Sequence, residues 1–250
     1  MNINISLGAY PGRSPASAMM SFLEKQPKDP VLGDLSCQET QICPQNCIEI
    51  LTEDYANNLK QSFPDTRFRL HANVRVLEKH IPGAHLSAYR RYRKYFQKMA
   101  SISRIFDAKI YTLHAGSKTE APWRLLLYSV KQLEDLFGIS VGIEGHYPTA
   151  GGKFWLDSWE EYRMLYESGA GYVIDLSHLH ILATQTGKLE IELIRDMLAC
   201  DRCLEVHLSH NDGSRDQHVP LEANNPPWWI RLLHGIHPKA AVFYEGRVGV

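Results

Sequence analysis

Histidine and acidic residues recur at one kind of position in this chain, the end of a short apolar run. The chain has 250 residues, of which 12 are histidine. Nine candidates lie at such positions or follow them closely, in the order His71, His114, Glu144, Asp175, His178, His207, Asp216, His218 and Glu245. Mixed imidazole and carboxylate ligands are typical of Zn²⁺, Mn²⁺ or Fe²⁺ sites. The pattern therefore predicts a divalent-metal centre.

The repetition of these residues carries more weight than any one of them. A single histidine at a strand end is usually a hydrogen-bonded structural residue, and a single acid there often caps the next helix. Several carboxylates and imidazoles in one desolvated place are costly unless cations neutralise them. Because one carboxylate can bridge two metals, the nine candidates could hold one to three ions.

Apolar runs alternate along the chain with segments of helical periodicity. The predicted strands are Ile3–Gly8, Cys47–Thr52, Arg67–Ala72, Lys109–His114, Ser140–Glu144, Gly171–Asp175, Leu204–Leu208 and Ala241–Glu245. The predicted helices are Ala16–Lys25, Leu86–Phe106, Trp123–Phe137, Ser158–Glu167, Leu189–Leu198 and Asn225–Ile236. Eight such strands favour a single α/β domain over residues 1–250, a (β/α)8 TIM barrel. All strand ends of such a barrel meet at one rim, which would bring the nine candidates together.

Two irregularities affect the outside of this predicted barrel. Residues 11–47 form a long excursion between the first two strands, and the last outer helix has no sequence to build it. The wall beside the eighth and first strands is then covered by the excursion, by a partner subunit or by nothing. We expect a homo-oligomer contact at this wall.

Composition limits the classes of function. Lys and Arg number 27 against 28 Asp and Glu, so overall basicity does not support nucleic-acid binding, although a local patch stays open. The basic cluster Arg90, Arg91, Arg93 and Lys94 is interpreted as the solvated face of an outer helix. The sequence shows neither a membrane-spanning apolar run nor a signal-peptide pattern, which makes a cytoplasmic location the default.

The five cysteines are interpreted as thiols. Five is an odd number, which argues against a closed disulfide framework. Cys200 and Cys203 form one C-x-x-C motif, which without a second such pair is a weak metal signal.

The order LHAN, LHAG, GIEG, VIDLSH, VHLSHNDGSRDQH and YEG resembles the xylose isomerase-like TIM-barrel superfamily, from about the third strand onward. That superfamily includes sugar isomerases and epimerases and also endonuclease IV, of AP endonuclease family 2. The isomerase branch implies one metal, held by Glu144, Asp175, His207 and Glu245. Glu144 and Glu245 would also be the catalytic acid and base that move a proton next to a carbonyl group.

The same resemblance implies substrate contacts and an alternative chemistry. His178 would contact a hydroxyl of a small sugar, sugar phosphate or polyol, and Arg215 a substrate oxygen or phosphate. Independently of the resemblance, Trp123 in a predicted rim loop either stacks on the sugar or closes the mouth of the barrel. The endonuclease IV branch implies three zinc ions and phosphodiester hydrolysis. The first zinc would be held by His71, His114 and Glu144. The second would be held by Glu144, Asp175, His207 and Glu245, and the third by His178, Asp216 and His218.

Three hypotheses follow, in this order. Near-neutral charge and weakly basic rim loops favour the metal-dependent isomerase or epimerase over a nucleic-acid enzyme. The complete set of nine candidates favours the phosphodiesterase, and a catalytically silent ligand-binding barrel is the third.

The chain departs from the family at His210, where many relatives have an acidic residue; His210 either faces solvent or adds a ligand. His146 and His180 follow candidate ligands closely and could support them from behind.

Overall fold

A computed structural model describes residues 2–46, 48–149 and 151–248. Its main sheet has eight parallel strands: β1 Ile3–Ser6, β2 Ser36–Ile42, β3 Arg67–Leu70, β4 Ile110–His114, β5 Ser140–Glu144, β6 Gly171–Asp175, β7 Cys203–Leu208 and β8 Ala241–Tyr244. Pairing runs from β3 through β2, β1, β8, β7, β6 and β5 to β4. A parallel bridge between His71 and Thr112 joins the two ends of this order. The predicted TIM barrel is confirmed.

Helices surround this sheet. The α-helices are α1 Pro15–Lys25, α2 Glu53–Ser62, α3 Arg93–Ile105, α4 Trp123–Phe137, α5 Trp159–Glu167, α6 Leu176–Thr186 and α7 Ile191–Ala199. Shorter 3₁₀ helices are Leu7–Ala9, Pro44–Asn46, Leu86–Ala88 and Trp228–Gly235. The predicted helix Leu86–Phe106 is thus divided between a 3₁₀ helix and α3, and the predicted helix Asn225–Ile236 is a 3₁₀ helix.

The second strand was predicted in the wrong place. Residues 48–52 contain no strand, and Cys47 lies outside the described residues. The real β2 is polar, with the sequence SCQETQI, because Glu39 and Gln41 contact Arg69 and Glu205 inside the barrel. An apolar run was therefore the wrong marker for this strand.

Two helices were missed for different reasons. Helix α2 is mostly polar and buries only Ala56 and Leu59; the Thr52 side chain caps it by accepting from the Tyr55 amide. Helix α6 begins immediately after β6, with Asp175 as its N-cap residue. A strand that passes directly into a helix leaves no turn signal between the two elements.

The outer wall at β1 and β8 is covered by the chain itself. Ile5, Val242 and Tyr244 are each at most 2% exposed. Lys28–Asp29 and Gly33–Asp34 form a short antiparallel hairpin outside the main sheet. Burial and the nearby carboxylate of Asp29 raise the pKa of Tyr244, so this hairpin lies against β8. No helix follows β8 in the described residues up to Val248. The predicted oligomer contact stays a prediction, but an uncovered wall no longer supports it.

Two further features concern membrane-spanning helices and the cysteines. Within the described ranges, no helix combines the length and apolarity that crossing a bilayer would need. Cys37, Cys43, Cys200 and Cys203 are free cysteines. The C-x-x-C pair therefore forms no disulfide.

Candidate metal centre

The nine candidate ligands converge at the carboxyl ends of the strands, as predicted. Parallel register places His114 beside Glu144 and Asp175 beside His207. A cavity of about 80 Å³ is lined by every candidate except His207. Pro44, Gln45 and Ala72 complete its lining. His207 is completely buried and touches two of the lining carboxylates from below.

Glu144 lies between two groups of ligands. Its Oε2 atom is 3.1 Å from His71 Nε2 and 3.3 Å from His114 Nδ1. Its Oε1 atom is 3.3 Å from His207 Nδ1. The Glu245 Oε1 atom is 3.8 Å from that same nitrogen. Ligand atoms of Asp175, His207 and Glu245 also lie within 4.8 Å of one another.

A third group lies on the other side of Asp175. His178 Nε2 is 3.4 Å from Asp175 Oδ2 and 3.7 Å from Asp216 Oδ2. His218 Nε2 is 2.7 Å from Asp216 Oδ2, and its Nδ1 is 3.7 Å from Glu245 Oε2. The structure therefore brings together all three ligand groups that the endonuclease IV resemblance implies.

Orphaned buried atoms test whether these residues fit a metal. Glu144 Oε2, His114 Nδ1, His207 Nδ1 and Asp216 Oδ1 are buried and form no hydrogen bond of good geometry among the described residues, although the first three lie 3.1–3.3 Å from another ligand atom. Buried polar atoms nearly always have a partner, so each of these needs an explanation. Two nitrogens and two carboxylate oxygens in and directly beside one polar cavity suit a divalent cation such as Zn²⁺ or Mn²⁺. The donor set fits.

Electrostatics inside the centre are dominated by its carboxylates. Burial alone would lower the pKa of the imidazoles, but the facing carboxylates raise it, well above the usual range for His207, to about 10 for His178 and to about 9 for His218. Burial lowers the pKa of His114. Burial also works to raise the pKa of Glu144, but the surrounding imidazoles hold it well below its usual value. Protons thus occupy positions that a bound cation would take over.

Backbone contacts orient two ligands at the carboxyl end of β6. His178 Nδ1 lies 3.1 Å from the carbonyl oxygen of Gly145, to which it donates, so Nε2 faces Asp175 and Asp216. Asp175 Oδ1 accepts from the amides of Ser177 at 2.7 Å and His178 at 3.1 Å. Asp175 therefore caps α6 with one oxygen and leaves the other for the centre.

Substitutions of Asp175 should separate these two roles. Asp175→Asn keeps an oxygen for the cap but loses the negative charge, so we expect weaker metal binding at near-normal stability. Asp175→Ala should also lower the free energy of unfolding by about 0.5–2 kcal/mol through the lost cap. Urea unfolding of the metal-free variants and Zn²⁺ titration against a fluorescent chelator measure the two effects. Equal stability of both variants would contradict the capping role.

Two predicted substrate contacts lie away from the cavity lining. Arg215 is exposed, and Trp123 packs against Trp155 with ring centroids 5.5 Å apart. His210 is partly buried beside His180, with ring centroids 6.2 Å apart, and it does not line the cavity either. The roles of Arg215 and Trp123 stay predictions. The rings of His146 and His114 are stacked with their centroids 4.7 Å apart, so His146 packs directly against a candidate ligand.

Sequence reasoning missed the polar residues beneath the centre. Gln41, Thr112 and Glu205 are completely buried inside the barrel. Burial works to raise the pKa of Glu205, but the Arg69 charge and hydrogen bonds from His207 and Arg69 hold it at about 2. One signal was available: Glu205 lies two residues before His207, and alternate residues of a strand share one face.

The lysine of the rim loop after β4 is neutralised by two carboxylates. Lys118 forms ion pairs with Asp157 and Glu161, each at 2.8 Å. The basic cluster predicted on the outer helix, Arg90, Arg91, Arg93 and Lys94, is exposed at the start of α3. Neither feature lines the cavity.

No family model matches the chain, and a search of curated proteins finds no match. Solved structures do align. The alignment with D-psicose 3-epimerase in the presence of D-fructose covers 100% of this chain and 86% of the epimerase chain, with a TM-score of 0.65 and 14% identity. The alignment with AP endonuclease, family 2, from Brucella melitensis covers 99% of this chain and 94% of the endonuclease chain, with a TM-score of 0.61 and 10% identity. The alignment with the IolI protein, which has a binding zinc atom, covers 98% of this chain and 88% of the IolI chain, with a TM-score of 0.61 and 13% identity. The chain therefore shares the TIM-barrel fold of these proteins, as predicted.

Proposed function

We propose that the protein is a divalent-metal-dependent isomerase or epimerase that moves a proton next to the carbonyl group of a small polyhydroxy compound. The observation that supports this most is the pair of glutamates that faces one imidazole nitrogen. Glu144 and Glu245 approach His207 Nδ1 to 3.3 and 3.8 Å, and both line the cavity. A cation held there would have two carboxylates beside it that are able to exchange protons with a substrate.

The chain's own residues have distinct tasks in this proposal. Glu144, Asp175, His207 and Glu245 would hold the ion, which supplies Lewis-acid polarisation of a carbonyl and a neighbouring hydroxyl group. Glu144 and Glu245 would remove and return the proton, as general base and general acid. His178, whose ring is fixed by the Gly145 carbonyl, would donate to or accept from a substrate hydroxyl.

The lining favours a neutral polyol over an anionic substrate. Among the described residues, the cavity is lined by four carboxylates and no lysine or arginine. The raised pKa of His178 and His218 keeps both lining imidazoles charged, so these two rings and one divalent ion together balance the four carboxylates. Little net positive charge is then left to bind a phosphate group, whereas hydroxyl groups can hydrogen-bond to carboxylates and imidazoles directly. A cavity of about 80 Å³ also suits the reacting end of a small molecule rather than a nucleic-acid duplex. D-tagatose and D-psicose, from the epimerase names among the structural neighbours, are the first sugars to test.

Hydrogen exchange tests this proposal directly. Protein purified without chelators, supplemented with Mn²⁺, is incubated with D-fructose, D-tagatose or D-psicose in D₂O. We expect the carbon-bound hydrogen beside the carbonyl to exchange with solvent and an epimer or isomer to accumulate, as seen by NMR. EDTA should abolish the exchange and added Mn²⁺ should restore it. Absence of exchange into every sugar, with metal bound, would contradict the proposal.

A phosphodiesterase is the second candidate, supported by the two outer ligand groups. One outer group contains His71 and His114, and the other contains Asp216 and His218; they flank the central site. Three divalent ions would outweigh the four carboxylates and attract a phosphate. This candidate predicts three metal ions per chain by elemental analysis and cleavage of bis(p-nitrophenyl) phosphate. One ion and no cleavage would reject it, and failure of both assays with metal bound would leave a ligand-binding barrel without catalysis.

A further inference from the structure

We propose that Glu205 is a positioning residue that fixes the protonated nitrogen of two candidate metal ligands, His207 and His71. The inference rests on the metal-binding part of the proposed function and extends it below the cavity. Glu205 is completely buried and lies on β7, two residues before His207. It touches neither the cavity nor a reacting group.

The contact with His207 is direct. His207 Nε2 lies 3.3 Å from Glu205 Oε2, and its Nδ1 faces Glu144 and Glu245. A carboxylate only accepts hydrogen bonds, so this contact is a hydrogen bond when Nε2 carries the hydrogen. The lone pair of the neutral ring is then on Nδ1, toward the centre.

The contact with His71 passes through one hydroxyl group. The Thr112 hydroxyl donates its single hydrogen to Glu205 Oε2 at 3.1 Å. His71 Nδ1 lies 2.9 Å from that hydroxyl oxygen, which can therefore only accept from it. The hydrogen of the neutral ring is on Nδ1, and the Nε2 lone pair points at Glu144, 3.1 Å away.

The remaining partners of Glu205 hold it as an acceptor. Arg69 Nη1 donates to Oε1 and Gln41 Nε2 donates to Oε2, each at 2.6 Å. Gln41 Nε2 also lies 3.0 Å from His207 Nε2, and this amide donor taken alone would favour hydrogen on His207 Nδ1 instead. Because the carboxylate accepts charge-assisted hydrogen bonds, it can satisfy both nitrogens as donors. Carboxylates behind ligating histidines act in this way at metal sites generally.

Conservative variants of Thr112 test the relay without touching a ligand. Thr112→Val removes the hydroxyl at nearly constant volume, and Thr112→Ser restores it. We expect Thr112→Val to weaken Zn²⁺ binding about 10- to 100-fold in competition with a fluorescent chelator, and Thr112→Ser to bind like the wild type. Glu205→Gln should weaken binding at least as much. Glu39→Gln, at the far end of Arg69, is the control and should bind normally.

Nitrogen NMR of the Zn²⁺-loaded protein gives a readout that a structural role would not move. We expect hydrogen on His207 Nε2 and on His71 Nδ1 in the wild type, and loss of the fixed His71 form in Thr112→Val. Normal Zn²⁺ affinity with an unchanged His71 ring in Thr112→Val would overturn the proposal, as would hydrogen on His207 Nδ1. A wild type that binds no Zn²⁺ overturns it as well, whereas Zn²⁺ binding without hydrogen exchange rejects only the isomerase chemistry.

Discussion

Glu245→Gln is expected to slow hydrogen exchange at the substrate carbon by at least about 100-fold, because general acid–base groups contribute roughly 10²–10⁴. The amide keeps the shape of the side chain but has neither the charge nor the proton acceptor. Glu245 is 6% exposed and lines the cavity, so solvent does not readily replace it. The measurement is the rate of deuterium incorporation by NMR at saturating Mn²⁺.

Loss of metal must be separated from loss of proton transfer in this variant. Asp175→Asn removes one ligand charge in the same way but no proposed acid or base, so it should retain more exchange once Mn²⁺ saturates the site. Glu222→Gln, at an exposed carboxylate outside the cavity lining, should exchange at the wild-type rate. A metal-loaded Glu245→Gln protein that exchanges within about threefold of the wild type would remove Glu245 from the proposed chemistry.

The sequence predicted that the nine candidate side chains converge because of a property of parallel barrels. Every strand delivers its last residues to the same rim, so His114 and Glu144 become neighbours whatever the helices between them do. Small errors in helix bounds therefore leave the ligand set intact. The division of Leu86–Phe106 between two helices, for example, moves no candidate ligand.

The barrel interior was harder to predict because its partners are far apart in sequence. Arg69 and Glu205 are 136 positions apart, and neither periodicity nor local composition indicates that they meet. The same polar interior explains the misplaced β2, whose Gln41 side chain contacts Glu205. A strand with polar residues toward such an interior has no apolar alternation to detect. Substrate contacts such as Arg215 depend on loop conformation, which short motifs do not specify.

Arg69→Met is expected to lower the free energy of unfolding by about 3–5 kcal/mol, because it leaves a buried carboxylate without its cation. The Arg69 side chain is 8% exposed and lies 2.6 Å from both Glu205 and Glu39. Urea unfolding followed by circular dichroism measures the change. Arg67→Met is the matched control: Arg67 also pairs with Glu39, but its side chain is 75% exposed, so the loss should stay within about 1 kcal/mol.

Removing both charges should separate stability from metal binding. Arg69→Met combined with Glu205→Met leaves no unpaired buried charge, so we expect the double variant to be more stable than Arg69→Met alone. It still lacks the acceptor behind His207 and the Thr112 hydroxyl, so its Zn²⁺ affinity should stay low. A double variant that regains both stability and affinity would mean that the carboxylate only balances Arg69. Recovery of stability without affinity would assign Glu205 to the metal ligands above it.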